Sequence, residues 1–158
     1  MKYAAIKEND YINGEGICVS FWVQGCPHRC EGCHNPEQWD FNGGYELPND
    51  YKGQIIKAIS ANGLTRNFSI LGGEPLCPNN IDLVLNTLTA VRAAYPHIKI
   101  FIWTGYSFED IKQDIKVQEI LEKIDVLIDG PYKQELRDVT LKLRGSANQK
   151  ILYKNIDF

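Results

Sequence analysis

The sequence contains no hydrophobic run long enough to cross a membrane. A transmembrane helix needs roughly 20 consecutive apolar residues, and no segment of this chain approaches that length. Residues 1–8 also lack the long apolar stretch of a signal peptide. These absences argue against a membrane-spanning protein and predict a cytoplasmic one without a membrane partner.

The chain also lacks a large excess of charge of either sign. Its formal net charge is −3 over 158 residues, so no long-range field draws it toward nucleic acid, although a local basic patch stays open. Repeats, low-complexity segments and linkers are absent, and 44% of the residues are hydrophobic, which is enough for one core. We therefore expect a single domain over residues 1–158 with no direct nucleic-acid partner.

Hydrophobic patterning predicts alternating strands and helices. Strands are expected at residues 17–23, 67–71, 98–103 and 125–128. Helices are expected at 50–61, from an Asn79 or Asn80 cap to about 95, from Ser107 past Ile115, and at 117–124, and the tail from Val139 has room for one or two more strands. This order is typical of a parallel sheet, and four units fall short of a closed eight-unit barrel. We expect an α/β fold whose mainly parallel, curved sheet forms an open, partial (β/α) barrel; a flat doubly wound sheet is the alternative.

Three of the five cysteines lie close together. Cys26, Cys30 and Cys33 form a C-x3-C-x2-C pattern with no fourth cysteine nearby. In a reducing compartment such cysteines indicate a metal or redox site rather than disulfides. Three thiolates can hold three corners of a cubane iron–sulfur cluster and leave the fourth iron open, whereas clusters that only carry electrons usually take four. The pattern therefore favours a [4Fe–4S] cluster that acts on a ligand.

The cysteine pattern is also compatible with two other kinds of metal site. A structural zinc ion could take the three thiolates with His34 as its fourth ligand, although all four residues lie within a span of nine. Cys77 could instead complete the four ligands of an electron-carrying cluster. Otherwise we expect Cys77 and Cys18 to be small buried residues, and His28 to hydrogen-bond a cluster sulfide or to shape the loop.

Each predicted strand runs into a distinctive loop: Gly25 and the cysteines, Gly72-Gly73-Glu74-Pro75, Trp103-Thr104-Gly105-Tyr106, and Asp129-Gly130-Pro131-Tyr132. Because the carboxyl ends of parallel strands share one rim, these loops predict one composite site. Paired glycines would let a small ligand approach the main chain, and Glu74 could meet an ammonium group; a tight turn with a solvated Glu74 is the alternative. Thr104 and Asp129 could contact the ligand or only cap turns.

Together, the cysteine pattern and the Gly-Gly-Glu-Pro run resemble the radical S-adenosylmethionine superfamily. The resemblance implies a [4Fe–4S] cluster whose open iron is chelated by the methionine moiety of S-adenosylmethionine, with the cluster held by Cys26, Cys30 and Cys33. It also implies that the methionine end is lined by Gly72, Gly73 and Glu74.

A longer series of motifs is similar to the activating proteins of anaerobic (class III) ribonucleotide reductases. The series comprises residues 13–16, 25–35, 103–106, 126–130 and 144–149. One departure from the superfamily pattern is Gly32, since an aromatic residue often stands there against the adenine; glycine is usual in these activating proteins. In the absence of this aromatic residue, the adenine would be contacted by the backbone of Gly32, Cys33 and His34, or by Tyr132.

This resemblance implies a radical-generating activase. The reduced cluster would cleave S-adenosylmethionine, and the 5′-deoxyadenosyl radical would take a hydrogen atom from a glycine on the large catalytic subunit of the reductase. A donor such as flavodoxin would supply the electron, and no side-chain acid or base is required. Alternatives are an activase of another glycyl radical enzyme, such as pyruvate formate-lyase, and a zinc-stabilised binding module without catalysis.

Two further groups of residues are candidates for contact with the partner protein. Trp39, Phe41 or Tyr132 would help to bind the reductase, unless they belong to the core. The Arg144-Gly145-Ser146 stretch would bind the partner or the ligand carboxylate, with an ordinary polar turn as the alternative.

Overall fold

The chain forms a seven-stranded mixed sheet that is not closed into a barrel. In the computed structural model, which describes residues 1–158, the strands are β1 (Lys2–Asp10), β2 (Cys18–Val23), β3 (Tyr45–Glu46), β4 (Asn67–Gly72), β5 (Ile100–Trp103), β6 (Val126–Asp129) and β7 (Lys150–Tyr153). The helices are α1 (Tyr51–Ile59), α2 (Ile81–Ala94), α3 (Phe108–Ile111) and α4 (Ile115–Leu121). The sheet order is β3-β1-β2-β4-β5-β6-β7. None of the four helices has both the length and the hydrophobicity that a membrane span requires.

The four predicted strands form the parallel centre of the sheet. β2 pairs with β4, β4 with β5, and β5 with β6, all in parallel. β1 and β3 extend the sheet on one side and β7 on the other, each by antiparallel pairing. The prediction of an α/β fold with an open sheet is confirmed, and β7 lies in the tail where a further strand was expected.

β1 has no counterpart in the sequence prediction. Most of its residues are half-buried or exposed, including Lys7 and Glu8, so it lacks the continuous apolar run of a central strand. It is held by its pairing with β2, which runs from Tyr3 opposite Val23 to Asp10 opposite Cys18. Long-range pairing therefore makes this strand, and the local sequence does not reveal it.

Both helices predicted after Ser107 are present, but the break between them lies before Ile115 rather than between Ile115 and Val117. α3 and α4 are separated at Asp114, whose side chain accepts hydrogen bonds from the N–H groups of Lys116 at 2.8 Å and Val117 at 3.2 Å. A side chain that satisfies the first free N–H groups of a helix starts a new helix at that point.

The main core lies between the sheet and its helices. Val19, Phe21 and Val23 alternate along β2 on this side and are completely buried, as are Ile70 of β4 and Ile102 of β5. Burial of each such side chain contributes roughly 1.5–3 kcal/mol. This packing fixes the parallel strands and hence the positions at which their carboxyl ends emerge.

The opposite side of the sheet is covered by loops instead of helices. Trp22, Leu71 and Trp103 belong to the alternate set of strand residues on this side. The loop after β1 crosses the same side, because the Ser69 hydroxyl donates a hydrogen bond of 2.6 Å to the carbonyl oxygen of Asn13. Space is left between this face and the loops.

Candidate functional site

A cavity of about 500 Å³ opens where the four parallel strands end. Most of the predicted site residues line it: Cys26, Cys30, Cys33, His34, Gly72, Gly73, Glu74 and Thr104. Gly32 and Asp129 do not, although the neighbouring Cys33 and Gly130 do. All four loops that the sequence places at one rim therefore meet at one cavity.

Backbone hydrogen bonds close the cysteine loop at its base. The N–H group of Gly25 donates to the carbonyl oxygen of Gln38 at 2.8 Å, and that of Cys26 donates to Trp39 at 3.1 Å. The loop therefore leaves β2 and returns to it, and its three cysteines all lie along the cavity wall as free thiols.

The thiols of this loop are partly buried. Burial raises the pKa of Cys26 to about 11 and also raises the pKa of Cys30. Bound iron would reverse this preference, because metal coordination deprotonates a thiol. The ring of His34, the fourth ligand in the zinc alternative, packs 5.2 Å from that of Tyr132.

The buried carboxylate of Glu74 joins three of the loops. Its Oε1 accepts hydrogen bonds from the Thr104 hydroxyl at 2.7 Å and the Leu76 N–H at 2.8 Å. Its Oε2 accepts from the Gly105 N–H at 2.6 Å and lies within hydrogen-bonding distance, 2.7 Å, of Nε2 of His28. The side chain is only 1% exposed. The alternative of a solvated Glu74 is therefore wrong, and protein donors take up the oxygens that could have met an ammonium group.

The two glycines of the turn are required by the close approach of β2 and its loop. Gly72 has a φ of +110°, and a Cβ at Gly73 would overlap the carbonyl oxygen of Gly25. The N–H of Gly73 donates to Val23 at 2.9 Å, and that of Glu74 donates to Gly25 at 2.8 Å. No protein donor reaches the carbonyl oxygen of Gly73, so this oxygen can accept a hydrogen bond from a ligand.

Asn80 occupies the predicted cap position of α2, but its side chain does not cap the helix. Its buried amide donates instead to the carbonyl oxygens of Gln24 and Gly25, each at 3.2 Å, and of Glu74 at 3.0 Å. Asn80 thereby ties the end of β2 to the turn after β4. The cap preference of asparagine hid this role from sequence reasoning.

Thr104 and Asp129 make hydrogen bonds within the protein. The Thr104 hydroxyl is engaged with Glu74, and the buried Asp129 accepts hydrogen bonds from the N–H groups of Phe108 at 2.8 Å and Lys150 at 3.2 Å. These contacts support the alternative in which both residues fix the rim loops. A ligand contact of either residue stays a prediction.

Arg144 brings a cation to the cavity. Its Nη1 donates to the carbonyl oxygen of Gln149 at 3.1 Å, whereas its buried Nε has no protein partner. The Gln149 side chain accepts from the N–H groups of Gly145 at 2.9 Å and Ser146 at 3.1 Å, so the segment folds into a turn that holds Arg144 in place. An unpaired buried donor costs free energy until a ligand accepts from it.

Apolar side chains that sequence reasoning missed form another part of the wall: Trp22, Leu71 and Trp103. They could have been found from the sequence, because alternate residues of a strand point to the same face of the sheet. Among the aromatic residues considered for partner contact, Trp39 and Tyr132 also line the cavity, while Phe41 packs against Gly25.

The remaining two cysteines are buried, as the sequence predicts. Cys18 is 0% exposed and Cys77 is 1% exposed. Neither lines the cavity, and the Cys77 thiol donates to the carbonyl oxygen of Glu74 at 3.2 Å. Cys77 therefore gives no support to the electron-carrier alternative.

Comparison with known proteins identifies the family. A family model described as "4Fe-4S single cluster domain" matches residues 12–152. Proteins named anaerobic ribonucleoside-triphosphate reductase-activating protein are similar over almost their whole length. The one from Enterobacteria phage T4 is 39% identical over 99% of this chain and 96% of its own; that from Pasteurella multocida is 36% identical over 98% of both; and that from Escherichia coli K12 is 34% identical over 96% of this chain and 97% of its own. With the three cysteines gathered at the cavity, these matches show that the chain belongs to the 4Fe–4S family of anaerobic ribonucleoside-triphosphate reductase-activating proteins.

Proposed function

We propose that this chain is a radical S-adenosylmethionine activase that generates the glycyl radical of an anaerobic ribonucleotide reductase. One observation carries the proposal: the three clustered cysteines share a single cavity with a glycine turn whose Gly73 carbonyl has no protein donor. In this assignment Cys26, Cys30 and Cys33 hold a [4Fe–4S] cluster, and the open iron takes the methionine end of S-adenosylmethionine.

The cavity offers partners for both charged ends of the methionine group. The carbonyl oxygen of Gly73 is an acceptor for the ammonium, and the unpaired Nε of Arg144 is a donor for the carboxylate. Of the two roles considered for the segment after Tyr132, this favours ligand binding for Arg144. Glu74 acts on the ligand only through the position of the turn, because its own oxygens are engaged.

The adenine end of the ligand is assigned to Gly32, Cys33 and His34, with Tyr132 beside them. Gly32 has a φ of +74°, and a Cβ there would overlap the side-chain amide of Gln134. The Gln134 side chain could move aside, but the left-handed backbone conformation favours glycine over an aromatic residue at this position, in keeping with the departure from the superfamily pattern. The ring of Tyr132, close to His34, supplies an aromatic surface at the cavity instead.

When bound, the cluster and S-adenosylmethionine supply a one-electron cleavage of a carbon–sulfur bond and a hydrogen-atom abstraction, which are chemistries of the cofactors rather than of side chains. The chain's own residues bind and orient these cofactors and shield them from water. Trp22, Leu71 and Trp103 give the cavity an apolar wall that excludes water. No side chain is assigned as a general acid or base.

The partner is assigned from the names of the relatives, which are activating proteins of anaerobic reductases. We assign the large catalytic subunit of the reductase as the protein substrate and a flavodoxin-type protein as the electron donor. We further propose that residues 1–158 form one radical S-adenosylmethionine domain whose open sheet is a partial barrel. The continuous sheet with four parallel central strands supports this.

Anaerobic reconstitution with iron and sulfide tests the proposal. The reconstituted protein should be brown, and reduction with S-adenosylmethionine present should release 5′-deoxyadenosine and methionine. Adding the reductase subunit should then give the electron paramagnetic resonance signal of a glycyl radical. A colourless protein with one bound zinc ion, or a cluster protein that leaves S-adenosylmethionine intact, would refute it.

A further inference from the structure

His28 makes the only side-chain hydrogen bond between the cysteine loop (Cys26 to Cys33) and the glycine turn (Gly72 to Pro75). Its Nε2 lies 2.7 Å from Oε2 of Glu74, which is 46 residues further along the chain. The carboxylate is 1% exposed and the imidazole 18% exposed. Besides the backbone hydrogen bond from Glu74 to Gly25 at the base of the loop, the two segments expected to hold the cluster and the methionine group are therefore linked by one partly buried side-chain contact.

The surrounding residues hold the His28 ring in this position. The edge of the ring meets Tyr106, with ring centroids 4.5 Å apart and an interplanar angle of 75°. Gly105 leaves the space that the ring occupies, because a Cβ there would lie 2.5 Å from Cδ2 and 2.7 Å from Nε2 of His28. The rim loop after β5 is thus shaped around the imidazole.

The Glu74 carboxylate, at the other end of this hydrogen bond, is also held in place. Three protein donors besides His28 hold the Glu74 carboxylate, from Leu76, Thr104 and Gly105. The carboxylate cannot turn without breaking several of these hydrogen bonds. Any movement of the cysteine loop relative to the turn must therefore break or stretch the contact between His28 and Glu74.

We propose that His28 is a positioning residue for S-adenosylmethionine, acting through Glu74. The imidazole sets the distance between the cysteine loop and the Gly73 carbonyl. A ligand that must reach both the open iron and this carbonyl binds well only when that distance is correct. This inference rests on the proposed function, because it presumes a cluster on the cysteines and the methionine group at the turn.

Two polar substitutions of His28 differ in reach and test the inference. In His28→Gln the side-chain amide can extend to about the position of Nε2 and donate to Glu74, whereas the shorter amide of His28→Asn cannot. We expect both variants to hold wild-type iron and sulfide. The Kd for S-adenosylmethionine, measured by equilibrium dialysis on reconstituted protein, should rise about tenfold in His28→Asn and stay within about twofold of wild type in His28→Gln. His97→Gln, at an exposed histidine after α2, is the matched control and should bind as wild type.

A spectroscopic measurement separates positioning from general support of the fold. S-adenosylmethionine should change the electron paramagnetic resonance spectrum of the reduced cluster equally in wild type and His28→Gln, and less in His28→Asn at saturating ligand. Equal Kd values and equal spectra for the two variants would overturn the inference, as would loss of the cluster from both. A wild-type protein that binds no S-adenosylmethionine would instead overturn the proposed function itself, so the two failures are distinguishable.

Discussion

The N–H group of Glu74 donates a hydrogen bond of 2.8 Å to the carbonyl oxygen of Gly25, the residue that precedes the first clustered cysteine. This bond brings the turn after β4 against the base of the cysteine loop. The approach is so close that Gly73 has no room for a side chain. Binding at this site therefore depends on backbone contacts as much as on the cysteines.

Replacing Gly73 by alanine should disable the site without removing any polar group. The new methyl group would meet the backbone of Gly25, so the turn and the loop must move apart. A displacement of about 1 Å near reacting groups can cost about 100-fold in rate, and we expect a loss of that order in 5′-deoxyadenosine formation. Gly53→Ala in α1 is the control, because its Cβ would meet nothing within 4 Å. Wild-type cleavage by Gly73→Ala would contradict the close packing.

Removing any one of the three clustered thiols should abolish cleavage of S-adenosylmethionine. Cys26→Ala, Cys30→Ala and Cys33→Ala each leave two thiolates, too few for a cluster with one open iron. Iron content, visible absorption and product formation should all fall together. Cys18→Ala removes a thiol of equal size that is buried away from the cavity, and it should remain active. A Cys18→Ala protein that lost both its iron and its activity would show that the ligand assignment is wrong.

The sequence was sufficient to predict the centre of the fold and the loops of the site. β2, β4, β5 and β6 are buried apolar runs, and each ends in a loop with a marked composition. Parallel pairing then requires these loops to meet at one rim. This is why the gathering of the cysteines, the glycine turn and Thr104 at one cavity could be foreseen from local patterns.

The contacts inside the site could not be predicted in the same way. The partners of Glu74 lie up to 46 residues away, and no local periodicity encodes such a pairing. Asn79 or Asn80 was expected to cap a helix because asparagine commonly does so, yet the side-chain amide of Asn80 donates instead to carbonyl groups of two rim loops. When a side chain has more hydrogen-bond partners far along the chain than close by, its usual local preference, such as helix capping, no longer predicts its role.

Asp10 should give the protein a stability that depends on pH. Burial opposes its charge, but hydrogen bonds from Asn13 and Ile12 outweigh this and hold the pKa of the carboxyl group below its usual 3.8. Because the pKa is lower in the folded state, the stabilisation is complete above about pH 4 and is lost as the pH falls through the folded-state pKa. Asp10→Asn should therefore lower the free energy of unfolding by about 1 kcal/mol at pH 7 and by much less at acid pH.

Urea unfolding at pH 7 and at pH 3 measures this difference. Asp110→Asn is a suitable control, since that carboxylate is exposed on α3 and makes no hydrogen bond to another side chain. An equal loss of stability in Asp10→Asn at both pH values would mean that the charge of Asp10 is not the source. Ile12 and Asn13 line the cavity, so the same variant should also loosen the loop that borders the site.

Arg144 should contribute to affinity through the carboxylate of the ligand. A charged hydrogen bond to its unpaired Nε is worth about 1.5–3 kcal/mol, so Arg144→Gln should raise the Kd for S-adenosylmethionine by at least about tenfold. Decarboxylated S-adenosylmethionine lacks the group in question, and its affinity should be the same in wild type and Arg144→Gln, as measured by equilibrium dialysis on reconstituted protein. Arg137→Gln removes an exposed cation from the same segment and should leave both ligands unaffected. If Arg144→Gln weakened the two ligands equally, the arginine would be supporting the loop after β6 rather than contacting the carboxylate.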